Sequence, residues 1–192
     1  MYKISLILLM LFSVACAPTN EDFSQLPENK QTPQGLYVTA IQAHDMKMQD
    51  PEHVYLVDVR TQSEVEFLGM ANAVDANIPY MFNDLSEWDA EKHRYKKVPN
   101  SNFSVTLEER LEEAGYNKDS TILLMCRSGT RSSKAANLLN QLGYTKAYTV
   151  VDGYEGDKAT EGKHKGQRVV NGWRNANLPW TYNLEEDKLY IE

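Results

Sequence analysis

An α/β fold, a mostly parallel sheet with helices on both faces, is what this chain predicts, on two observations. Short, uniformly apolar runs such as Thr121 to Met125 and Val54 to Val57 read as strands buried on both faces. The succession helix, glycine stop, tyrosine, polar turn, strand then occurs twice. It passes through Gly115-Tyr116 into Thr121–Met125, and through Gly143-Tyr144 into Ala147–Val151. Alternation of this kind lays strands parallel, with helices as the crossovers.

The elements follow in order. After Gly35-Leu36-Tyr37-Val38, Thr39 and Gln42 stand at capping-box spacing and open a helix through about Met48. Val54 to Val57 is the next strand, Ser63 to Phe67 a short helical segment, and Ala73 to Ile78 a further strand. Thr106 with Glu109 repeats the capping-box spacing, and Leu107, Leu111 and Ala114 give the apolar stripe of a helix stopped by Gly115. From Ser132 onward, Ala135, Leu138, Leu139 and Leu142 recur at i, i+3, i+4 and i+7. Lys134, Asn137, Asn140 and Gln141 lie opposite them, and Gly143 ends the helix.

The stretch that carries chemistry joins the last strand-helix pair: Met125-Cys126-Arg127-Ser128-Gly129-Thr130-Arg131-Ser132. A thiol at the carboxyl end of a parallel strand lies in the crevice where open α/β sheets place their ligands. The first turn of the following helix offers unpaired N–H groups and the positive end of its dipole. Both favour a thiolate over a thiol, as does a cationic neighbour such as Arg127 or Arg131. Cys126 is therefore the candidate nucleophile. A buried structural cysteine is the commoner role of a lone cysteine, but such a residue has no use for two arginines, a glycine and several hydroxyls in the next seven positions.

This stretch resembles the active-site loop of the rhodanese-like sulfurtransferases, with Cys126, Arg127, Ser128, Gly129, Thr130 and Arg131 as its six residues. Weaker matches stand in order around it: Val57-Asp58-Val59-Arg60, Asn77-Ile78-Pro79, Val151-Asp152-Gly153, and Gly172-Trp173 with Leu178-Pro179. The resemblance runs from about Gly35 to Trp180. It implies the rhodanese-like three-layer sandwich, a mostly parallel five-stranded sheet between helices. It also implies a double displacement: Cys126 takes the sulfane sulfur of thiosulfate or a related donor as a persulfide, and a thiol or cyanide removes it. Arg127 and Arg131 would hold the sulfonate end of the donor. Asp58 and Arg60 would brace the loop from the neighbouring strand end.

Loop length separates this reading from its nearest chemical rival. Cysteine phosphatases and related arsenate reductases place five residues between cysteine and arginine, enclosing a tetrahedral oxyanion. Here four residues separate Cys126 from Arg131, and a phosphatase arginine would fall at Ser132. A smaller cradle, made of the N–H groups from Arg127 to Arg131, suits a single sulfur. The alternatives are a persulfide carrier serving a partner redox enzyme and, after it, phosphatase or arsenate reductase chemistry.

A length of 192 residues fits one domain with additions. Lys3 followed by the uncharged stretch Ile4 to Ala15 reads as a secretory signal too short to span a bilayer. Two cleavage sites are open: before Cys16 as a lipidated first residue of a bacterial lipoprotein, or after Ala17 as a soluble protein. The lipoprotein reading is preferred because the chain has only two cysteines. Either places the domain outside the cytoplasm, and the preferred one makes it a periplasmic, membrane-anchored protein. Residues 18–34, with Pro18, Pro27 and Pro33, read as a flexible tether, and 181–192 as a C-terminal tail.

The domain itself, 35–180, carries two insertions. One covers about 80–103, with Trp88 and the cationic run His93-Arg94-Tyr95-Lys96-Lys97. It is read either as shaping the mouth of the site or docking a partner, or as a solvated excursion pinned by Trp88 and Tyr95. The other covers about 154–171 and reads as a mobile loop without chemistry.

Composition excludes other classes. A formal charge of −7, one unit more negative once Lys3 is lost, argues against nucleic acid as a partner. The four histidines, His44, His53, His93 and His164, show no metal-ligand spacing, and neither a P-loop nor a dinucleotide fingerprint is present. No metal and no cofactor are expected. With Cys126 as the only thiol of the mature domain, the sulfur acceptor must be another molecule, a small thiol or a partner protein.

Overall fold

The computed structural model describes residues 21–191. The signal segment and Cys16 lie outside the described residues. Its centre is a sheet of five strands: β1 (Tyr37–Val38), β2 (Val54–Asp58), β4 (Ala76–Asn77), β7 (Thr121–Met125) and β8 (Lys146–Val150). They are ordered β1-β8-β7-β2-β4, and every pairing is parallel. Two further short strands, β3 (Met70–Ala71) and β9 (Trp180–Thr181), pair antiparallel beside it. The expected strand Ala73 to Ile78 is thus only the pair Ala76–Asn77.

Strand alternation sorts the core into two layers. Tyr55, Val57, Ile122, Leu124 and Ala147 face α3 (Phe103–Glu113) and α4 (Thr130–Gln141). Val54, Leu56, Leu123, Met125 and Val150 face the other way, against α1 (Ala40–Gln49) and α2 (Gln62–Leu68). With both faces covered, an uninterrupted apolar run is what each central strand requires. This is a three-layer α/β fold of five parallel strands flanked by helices.

Helix starts follow from their caps. The Thr39–Gln42 capping box is formed in α1, and a second, Thr61–Glu64, opens α2. The box expected at Thr106–Glu109 is not a cap. Helix α3 starts at Phe103, and its N-cap Asn102 makes no side-chain capping bond. The reason is packing: Phe103, Leu107 and Leu111 form the buried stripe, and Phe103 meets the Tyr80 ring edge-on at 5.2 Å. Ala114 is exposed.

Three other segments are better fastened than the sequence suggests. Within the expected tether, Glu28–Lys30 form a 3-10 turn, Lys30 Nζ pairs with Asp157 at 2.8 Å, and the Ser133 hydroxyl donates to the Asn29 carbonyl. In the expected tail, Tyr190 is buried and Arg110 donates to the Asp187 and Leu189 carbonyls. In the expected loop 154–171, Tyr154 is fully buried and the Asn171 side chain accepts from the Asp157 N–H.

The insertion after Tyr80 is an antiparallel hairpin, β5 (Met81–Asp89) with β6 (Arg94–Pro99). Asn100 closes its base, donating from its backbone to the Tyr80 carbonyl and from Nδ2 to the Pro79 carbonyl. Among the described residues, no helix is long and apolar enough to cross a membrane.

Candidate active site

Strand β2 leads to β4 on one side of the sheet, while β7 leads to β8 on the other. Such a reversal opens a crevice at the carboxyl ends of the two central strands. Cys126 is the first residue beyond β7, and by alternation it points to the same side as Ile122 and Leu124. The residue is 2% exposed, yet it lines the floor of a cleft of about 640 Å³.

The loop between β7 and α4 is shaped for an anion. The backbone N–H groups from Arg127 to Ser132 donate to no carbonyl among the described residues. Those of Ser128 and Ser132 favour the charged form of the Cys126 sulfur. Gly129 turns the loop into α4 with φ +96°, and a Cβ there would run into the Val151 carbonyl. From outside, Gly153 lets a second loop close on the first, its neighbour Tyr154 donating N–H to the Cys126 carbonyl at 2.8 Å and Glu155 to that of Arg127 at 2.9 Å.

Burial pushes the Cys126 thiol up, but the nearby Arg131 charge, the two N–H groups and the Ser132 hydroxyl outweigh it. The thiol is more acidic than an ordinary cysteine. Ser132 Oγ lies 3.6 Å from Sγ and 2.9 Å from the Gly129 carbonyl, and it accepts from the Thr149 hydroxyl at 2.8 Å. One hydroxyl carries one proton, so Ser132 gives it either to the carbonyl or to the sulfur. A thiolate draws it to sulfur.

Arg131 differs from its expected role. It is buried, and its guanidinium is held by Glu64 through two hydrogen bonds of 2.6 Å. Its charge acts on the sulfur, but its donor fork is already engaged. Glu64 is held well below the usual carboxylate range: burial alone would raise it, and Arg131 with the Thr61 N–H reverses that. Arg127, by contrast, is half-buried at the cleft wall, and no carboxylate among the described residues is within ion-pair distance of it. It is the loop arginine free to meet a ligand.

Asp58 and Arg60 form a fully buried ion pair at 2.6 Å, and Arg60 also donates to the Gly69 carbonyl. The Arg60 guanidinium sits 3.8 Å over the Tyr154 ring. Since Tyr154 holds the Cys126 carbonyl, the pair reaches the loop through that ring as well as through the β2–β7 ladder, where Val59 N–H meets the Met125 carbonyl at 2.7 Å. Asn77 completes the brace, giving both Nδ2 hydrogens to the Asp58 and Arg60 carbonyls.

The hairpin forms the cleft's outer wall with Met81, Asp89, Lys92, Arg94, Lys96 and Lys97, so the first insertion does shape the mouth. Lys134 and Arg168 supply further positive charge. Lys97 Nζ donates to Asn83 Oδ1 at 2.7 Å, and burial with the Arg131, Arg94 and Arg127 charges pulls its ammonium down to about 8, against the pull of Glu64. Sequence reasoning missed Glu64, Ser132 and Arg168. Only Glu64 had a readable signal, the Thr61-x-x-Glu64 spacing. Among the described residues, no group of three or more His, Cys, Asp or Glu is placed to hold a metal.

Comparison with known proteins agrees with this geometry. The rhodanese-like domain family matches residues 39–160. An uncharacterized protein, RP600, of Rickettsia prowazekii is 31% identical over 130 residues, 68% of this chain and 85% of that protein. Its homologue in Rickettsia rickettsii is 27% identical over 145 residues, covering 76% and 96%. The crystal structure of Rv0390 from M. tuberculosis superposes with a TM-score of 0.56 at 29% identity, over 77% of this chain and 97% of that one. With the fold and the family match in agreement, this chain belongs to the rhodanese-like domain family.

Proposed function

We propose that the protein is a sulfurtransferase that moves a sulfane sulfur from thiosulfate or a related donor to a thiol or cyanide, by way of a persulfide on Cys126. The observation that carries this reading is a thiol on the floor of an open cleft between β7 and α4, with the Ser132 hydroxyl 3.6 Å from its sulfur and the Arg131 charge beside it favouring the thiolate.

The Cys126 thiolate attacks the outer sulfur of thiosulfate. A bond forms between the two sulfurs, the donor's sulfur-sulfur bond breaks, and sulfite leaves with the electron pair. The negative charge on the new outer sulfur falls among the loop N–H groups, as an anion does in a nest. Arg127 is the residue for the sulfonate end, while Arg131, committed to Glu64, acts through its charge. Ser128, Gly129 and Thr130 contribute backbone, and Asp58 with Arg60 contributes rigidity.

Whole-protein mass spectrometry before and after thiosulfate tests this. The expected result is the gain of one sulfur atom, removed by cyanide and absent in Cys126→Ser. An unmodified wild-type chain under those conditions rejects the reading. A persulfide carrier is the second reading, favoured by Cys126 being the only cysteine among the described residues. Slow thiosulfate turnover with fast loading from a co-purifying enzyme would select it. Phosphatase chemistry finds less support, because the position its arginine would need is the buried Ser132. We further propose export with Cys16 as a lipid anchor, and acylation of Cys16 in the same spectrum tests that.

A further inference from the structure

Thiosulfate has five heavy atoms, whereas the cleft over Cys126 measures about 640 Å³, a volume suited to a drug-sized ligand. Its lining is also lopsided, with eight basic side chains to one acidic, Asp89. Glu64, Glu87 and Asp89 balance Arg131, Lys96 and Lys92, respectively. Arg94, Lys97, Arg127, Lys134 and Arg168 lie within ion-pair distance of no carboxylate among the described residues. They come from four separate segments: the hairpin, the Cys126 loop, α4 and the loop 154–171.

These cations disturb one another. Burial together with Arg131, Arg94 and Arg127 disfavours the charge on Lys97, and burial with Arg127 disfavours that on Arg168. Like charges gathered in a concave site, against their own repulsion, are stabilised when anions settle among them. A single sulfonate at Arg127 leaves the hairpin pair and Arg168 unanswered.

We propose that the sulfur acceptor is a small thiol carrying at least two further anionic groups, and that Arg94 and Lys97 of the hairpin bind the groups remote from its sulfur. This rests on the sulfur-transfer reading of Cys126. In the step concerned, the acceptor thiolate attacks the outer sulfur of the Cys126 persulfide and the bond to Sγ breaks. The electron pair returns to Sγ, and the acceptor departs as a persulfide. Charge and protons balance without oxidant or reductant.

Persulfide-loaded protein is to be discharged by 2-mercaptoethanol, 3-mercaptopropionate and mercaptosuccinate, compared at equal thiolate concentration. The dicarboxylate is expected to react at least about tenfold faster than the monocarboxylate, the scale of one charge-assisted hydrogen bond. That advantage should vanish in Arg94→Ala/Lys97→Ala and in 0.5 M salt (roughly a 4 Å Debye length), and survive in Arg94→Lys. Equal rates for the three thiolates overturn the proposal, including the case in which the basic wall serves an acidic protein instead. A second readout needs no turnover. Tricarballylate, a sulfur-free trianion, should protect Cys126 from iodoacetamide in the wild type and not in the double variant. Protection with no sulfur loading would sink the transferase reading and the acceptor role with it, leaving a polyanion site at the hairpin, whereas loading with neither protection nor charge preference would sink this inference alone.

Discussion

Glu64 grips Arg131 with two hydrogen bonds of 2.6 Å across 67 positions of sequence, tying the first turn of α2 to the first turn of α4 beneath Cys126. The same Glu64 also accepts from the Thr61 N–H and hydroxyl, so one carboxylate caps a helix and orients an active-site cation. Glu64→Gln is expected to separate its two effects. Stability should fall by about 3 kcal/mol, the lower end for breaking a buried pair, since both side chains keep slight exposure. The Cys126 thiol should become more acidic, because Arg131 then acts on it undiminished. Urea unfolding measures the first, and the pH dependence of iodoacetamide alkylation the second.

Acid should unfold the domain partly through this residue. The Glu64 pKa in the folded protein is depressed below the roughly 4.3 of an unfolded glutamate. Its contribution is therefore fully present above that value and is lost as pH falls through and below it. Wild-type urea midpoints should drop below about pH 4.5, and Glu64→Gln should flatten that part of the curve.

Ser132 is expected to tune the thiol without being required for folding. Ser132→Ala removes a donor to Sγ and leaves the buried Thr149 hydroxyl without its acceptor. The alkylation midpoint should move upward by about one pH unit, equivalent to ~1.4 kcal/mol. Stability should fall by about 1–2 kcal/mol. An unchanged midpoint would show that the hydroxyl stays on the Gly129 carbonyl.

The buried pair beneath the site should behave differently. Asp58→Asn leaves the Arg60 guanidinium uncompensated where both side chains are 0% exposed, and a loss of about 3–5 kcal/mol in urea unfolding is expected. Its thiol chemistry should persist in whatever fraction remains folded.

Gly153→Ala probes the approach of the two loops. With φ +63°, its Cβ would meet the Cys126 carbonyl and lie 2.7 Å from Arg127 C and Ser128 N. Backbone strain of about 1–3 kcal/mol adds to that contact. The loop must shift, so sulfur loading should slow even at temperatures where the variant is fully folded by circular dichroism.

The elements legible in the chain were those whose signals are local. Val54–Val57 and Thr121–Met125 show as apolar runs, Thr39–Gln42 shows as a cap, and Cys126 shows by standing where strand gives way to helix. The α3 start was misplaced because Thr106 and Glu109 have the right spacing, while the core's demand for Phe103 is set by Tyr80, far off in sequence.

What the sequence by itself determined was the layered α/β class and the position of the thiol between strand and helix, since hydrophobic period and a six-residue loop are written along the chain. Only the tertiary structure decided which arginine is free and which is held, because Glu64 and Arg131 meet through the packing of two helices. It also decided that the hairpin, Lys134 and Arg168 pool their charges in one cleft. Ion pairs and clefts depend on distances between segments, and a linear order of residues does not contain them.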